Sequence, residues 1–114
     1  MKDCIMDSID NAYIVLRPEL YHRRVVGDSD FAIIEQSELK GVLLEDPRTD
    51  FVGIALSYNC DNMTETLIHE CIHYCDTELT EPIVERLTKK YVDDVDVRGA
   101  SQKKIVELCG KYDI

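Results

Sequence analysis

The spacing of apolar positions changes partway along the chain. From residue 12 to residue 57 they fall in short β-type runs, and from residue 63 onward they recur every three or four positions. Ala12-Tyr13-Ile14-Val15-Leu16 is the first run, and Arg17-Pro18 stops it. Tyr21 to Val26 reads as a second short strand, ended by Gly27-Asp28-Ser29-Asp30. Phe31-Ala32-Ile33-Ile34-Glu35-Gln36 fits strand or helix by periodicity, and is read as strand. Gly41-Val42-Leu43-Leu44-Glu45 and Phe51-Val52-Gly53-Ile54-Ala55-Leu56-Ser57 flank Asp46-Pro47-Arg48-Thr49-Asp50. Two apolar runs around a Pro- and Asp-containing loop predict a β-hairpin. Before all of these, Ile5 and Ile9 stand at helical spacing and predict a short N-terminal helical turn.

The helical half opens at Asp61 or Asn62, either of which can serve as N-cap. Asn62 with Glu65 has the spacing of a capping box. With His69 set at zero on a 3.6-residue wheel, Ile72 falls near about 300°, Ile68 near about 260°, Cys75 near about 240° and Cys71 near about 200°. Leu67, Tyr74 and Met63 continue that apolar arc, which leaves His69 and His73 on the polar strip of a mostly buried helix. Thr77 to Thr80 make the next turn, and Pro82 suits the start of a further helix. Its apolar stripe is Ile83, Val84, Leu87, Tyr91, Val92 and Val95, and its acidic far end (Asp93, Asp94, Asp96) reads as a solvated terminus. Gly99 punctuates, and Ser101 is expected to cap a last amphipathic helix with Ile105, Val106, Leu108, Cys109 and Tyr112 inward. The pattern predicts an α+β fold in one domain over residues 1–114. In it a small antiparallel or mixed sheet with a hairpin packs on the central helix, with one or two helices following.

Composition narrows the partners. The net charge is −10, from 23 Asp and Glu against 13 Lys and Arg. That balance argues against nucleic acid and anionic membranes, since phosphates reward clustered Lys and Arg, and His22-Arg23-Arg24 is too short a cluster to count. No stretch approaches the roughly 18 apolar residues of a membrane span, and the first seven residues lack the basic start and apolar run of a signal peptide. An odd count of five cysteines (Cys4, Cys60, Cys71, Cys75, Cys109) then reads as reduced thiols, and the chain as cytoplasmic. Cys71 and Cys75, neighbours on the buried arc, read as small apolar core residues.

The central helix also carries chemistry: His69-Glu70-Cys71-Ile72-His73. Histidines four apart share one helix face and can bind a single Zn²⁺, with Glu70 placed to take a proton from water on that metal. A catalytic zinc needs a third protein ligand and one open position. The metzincin continuation fails, because Asp76 and Leu79 stand where Gly and His are required. Asp76 shares the face but its Cα lies about 7–8 Å along the axis from the metal, so it reads as an acceptor for His73 or a helix-end residue. His22 is a weak candidate. If the following helix packs antiparallel about residue 77, Glu81 comes level with His73 and Glu85 with His69, and symmetry does not choose between them. Tyr58, Tyr74, Tyr91 and His22 are the candidates to stabilise an oxyanion, with Tyr74 the poorest by its wheel position.

The segments Thr66-Leu67-Ile68-His69-Glu70-Cys71-Ile72-His73, Asp76 and Leu79-Thr80-Glu81-Pro82-Ile83-Val84-Glu85-Arg86-Leu87 resemble small phage and bacterial zincin-type proteins, similar to the ImmA/IrrE metallopeptidases. In that family a glutamate on the helix after His-Glu-x-x-His completes the site, three residues before a small apolar residue. Here the matching positions are Glu81, Val84 and Leu87. The resemblance implies a zincin-like fold, a phage-type protein in a bacterial host, and Zn²⁺ held by His69, His73 and Glu81 with Glu70 as general base toward a protein or peptide substrate. The alternative is a silent acidic decoy on the same scaffold, occupying a basic protein through its charge.

Overall fold

The computed structural model describes residues 1–17, 20–25, 32–46, 48–57 and 62–112, with strands between 20 and 39 described by backbone alone. Four helices are present among these residues: α1 (Lys2–Asn11), α2 (Met63–Cys75), α3 (Glu81–Val92) and α4 (Val95–Lys111). The strands are β1 (Tyr13–Arg17), β2 (Leu20–Val25), β3 (Ala32–Leu39), β4 (Gly41–Asp46) and β5 (Phe51–Ser57). The expected hairpin is β4–β5, antiparallel from Gly41↔Leu56 to Asp46↔Phe51. β1 joins the other side of β5 in parallel, giving a mixed sheet of order β1-β5-β4, while β2 and β3 pair antiparallel in a sheet of their own. The α+β class follows from this architecture.

The centre strand and central helix share the core. β5 turns Ile54 and Leu56 into it, and α2 meets them with Leu67, Ile68, Cys71 and Ile72, all fully buried. α2 begins as its sequence requires: the Asn62 side chain accepts the Glu65 backbone N–H at 3.0 Å and returns a hydrogen bond to the Glu65 carboxylate at 3.2 Å. It packs on β4 and β5 and is surrounded by the other three helices.

Several expectations need correcting. The N-terminal turn is a full helix, because Ile5 and Ile9 lie on one face and both reach the core. Ser101 caps nothing and Gly99 interrupts nothing. Both lie inside α4, whose cap stands seven residues before Ser101: the Asp94 carboxylate accepts the N–H groups of Asp96 and Val97 at 3.0 and 3.1 Å. The acidic segment is therefore a cap rather than a solvated end, and Lys2 of α1 closes on Asp94 and Asp96 at 3.1 and 3.0 Å. Three stripe residues, Ile83, Val95 and Val106, stay exposed, since Val84, Tyr91, Val97 and Leu108 fill the facing positions. The reduced-thiol reading is corrected as well: Cys4 of α1 and Cys75 at the end of α2 form a disulfide, with Cα atoms 6.0 Å apart. Cys71 is a buried free thiol, as expected of a core residue, Cys109 is free, and Cys60 lies outside the described residues.

Candidate metal centre

α2 and α3 are joined by a short corner, residues 76–80. Asp76 ends α2 in extended backbone, and its carboxylate accepts the Glu78 N–H at 3.1 Å, which makes it a helix-end residue. Thr80 then precedes Glu81 and Pro82 in the first turn of α3, where proline loses no hydrogen bond. The corner brings Glu81 back beside the last turn of α2. Its carboxylate spans both imidazoles, with Oε1 at 2.5 Å from His73 Nε2 and Oε2 at 3.3 Å from His69 Nε2. The rings meet edge to face with centroids 4.9 Å apart. One nitrogen from each histidine and a Glu81 oxygen all lie within 4.8 Å of one another, a spacing that a single cation could bridge.

Of the two glutamates that helix symmetry left level with the histidines, Glu81 is thus the one whose carboxylate meets both rings. Glu85, one turn on, instead lines a cleft of about 430 Å³ alongside His69 and Glu70. The side chains of His22 and Tyr58 lie outside the described residues. Tyr91 and Tyr74 pack into the hydrophobic core instead of lining the cleft, so neither is placed to meet an oxyanion there.

Glu70 points to the opposite side of His69 from the core arc, yet only 7 % of it is exposed. Burial pushes its carboxyl up from 4.5 to about 7, and the nearby Glu81 charge adds to the rise. Its cover comes from the start of β4. A Cβ on Gly41 would stand 2.9 Å from Glu70 Cγ and 2.9 Å from Thr66 Cγ2, so only glycine lets the strand lie this close to the helix. The main-chain strip of β4 beside Glu70 follows from one hydrogen bond. Ser57 N–H donates to Lys40 C=O at 2.9 Å, which makes Lys40 and Ser57 a bonded pair. Antiparallel alternation then turns the N–H and C=O of Gly41 and Leu43 away from β5, toward the edge of the sheet.

Three further residues stand at this site beyond those that the sequence motif points to. Lys40 and Lys89 line the cleft, from the head of β4 and from α3. Thr88 is 2 % exposed, and its hydroxyl donates to Val84 C=O at 2.7 Å while standing 3.5 Å from His69 Nδ1. The signal was available: Thr88 follows Glu81 and Val84 at steps of three and four, on the face of α3 that meets α2. No helix among the described residues is long and apolar enough to cross a membrane. No protein-family model, curated protein or solved structure matches the chain.

Proposed function

We propose that the chain is a zinc-dependent hydrolase of peptide bonds, with His69, His73 and Glu81 as the zinc ligands and Glu70 as general base. The observation that carries this reading is the Glu81 carboxylate meeting both Nε2 atoms beside a cleft that contains Glu70. Two neutral imidazoles and one carboxylate form the donor set of a catalytic zinc, since they fill three positions and leave one for water. When bound, zinc lowers the pKa of water toward about 7 and polarises a carbonyl.

The chain's own residues supply the rest. A carboxyl shifted to about 7 divides between acid and base at neutral pH, which suits Glu70 to take a proton from water and deliver it to the leaving amine. A divalent cation beside it would draw that value down again, favouring the base form before attack. The outward main-chain groups of Gly41 and Leu43 can hold an extended peptide across the cleft by strand addition. The resemblance to ImmA/IrrE metallopeptidases points the same way, and would make the substrate a protein or peptide.

The test is Glu70→Gln in zinc-loaded protein against a mixed peptide library. Hydrolysis by wild type, reduced roughly a hundred- to ten-thousand-fold in the variant at unchanged zinc content, is the expected result. Cleavage that survives Glu70→Gln overturns the assignment.

A further inference from the structure

We infer that Thr88 is a positioning residue that fixes the tautomer of His69, so that Nε2 carries the lone pair toward the metal point. The inference rests on the zinc-site reading above, and its argument is a count of protons. A threonine hydroxyl has one proton, and in Thr88 it goes to Val84 C=O at 2.7 Å, back along the same helix. Toward His69 the hydroxyl can therefore only accept. The atom facing it, 3.5 Å away, is Nδ1, which must carry a hydrogen for that contact to be favourable. A neutral imidazole protonated on Nδ1 is bare on Nε2, the nitrogen that meets Glu81. Thr88 is 2 % exposed, so water does not compete for the hydroxyl.

The arrangement also explains why a β-branched residue with low helix propensity sits inside α3. Valine would keep the shape and lose the acceptor, while serine would keep the acceptor and lose the methyl. Partners of this kind commonly change metal affinity by about 10–100-fold. At 3.5 Å the bond is at the long limit, which sets the expectation near the lower end, about tenfold.

The experiment is zinc affinity by competition with a chromophoric chelator for wild type, Thr88→Val and Thr88→Ser, with thermal melts of each metal-free form. Nitrogen-15 spectra of the zinc-loaded proteins accompany it. The account expects Thr88→Val to bind about tenfold more weakly, Thr88→Ser to stay within about threefold of wild type, and a His69 Nδ1 proton to be protected from exchange in wild type and Thr88→Ser. Wild-type affinity in Thr88→Val, or equal weakening in Thr88→Ser, would assign Thr88 to packing and overturn the inference alone. If Thr88→Val does not fold, the proton decides: its absence from wild-type spectra overturns the inference. A wild type that takes up no zinc overturns the ligand reading and this inference with it.

Discussion

Glu70 is an expensive residue at its position. A carboxyl that is 7 % exposed is disfavoured in its charged form, and its neighbour Glu81 adds repulsion. The raised value links stability to pH. In metal-stripped protein the contribution of this group is fully retained below about 4.5, its value when unfolded. It is then lost as pH rises through about 7. Above that the folded state carries a penalty of about 3 kcal/mol relative to acid conditions. Glu70→Gln removes the titration. Denaturant melts of chelator-treated protein should therefore show the variant gaining on wild type between pH 5 and pH 8, by up to about 3 kcal/mol. A difference that stays flat across that range would show that Glu70 does not feel its burial.

Much of this was legible in residue types. The spacing of His69, Glu70 and His73 put the two imidazoles on one helix face from the sequence alone, because the helix period is fixed. Helix symmetry alone did not choose between Glu81 and Glu85, since both stand level with the histidines in an idealised antiparallel pair; the motif resemblance favoured Glu81, and the 76–80 corner brings that carboxylate to both rings. Gly41 looked like any strand glycine; its close approach to Glu70 is a tertiary fact.

At the scale of elements, the hairpin and α2 could be read because strong local signals agreed with burial. Asn62 and Glu65 capped a run whose apolar arc matches the buried face. α4 misled because local signals competed. Gly99 in a helix interior costs about 1 kcal/mol relative to alanine, and Ser101 resembles a cap. Asp94 supplies the cap earlier, and burial of Val97 and Leu108 offsets the glycine. α1 was underestimated for a related reason. A ten-residue helix is marginal alone, and its stability comes from Ile5 and Ile9 packed on the core and from a covalent tie.

That tie acts on the whole molecule. Cys4 and Cys75 are separated by 71 positions, and cross-linking a loop of this length removes enough unfolded-chain entropy to stabilise by about 4 kcal/mol. The bridge ends two residues after His73, so it also holds the end of α2 that leads into the 76–80 corner. Cys4→Ser should lower stability by about 4 kcal/mol in denaturant melts without reductant, and should match reduced wild type. Equal stability of oxidised wild type and Cys4→Ser would show that the bridge is not formed in solution. No sequence pattern announced this pairing, because which distant cysteines meet is decided by how α1 docks on α2.

The central claim is that three side chains from two helices make one metal site, and zinc stoichiometry tests it most directly. Wild type, His69→Ala, Glu81→Gln and Glu85→Gln would be stripped, reloaded with zinc and measured for bound metal. The account predicts equimolar zinc in wild type, loss in His69→Ala, weakening in Glu81→Gln and wild-type binding in Glu85→Gln. Weakening in Glu85→Gln alone would move the third ligand one turn along α3. A wild type without stoichiometric zinc would contradict the site and leave an acidic binding protein as the reading to pursue.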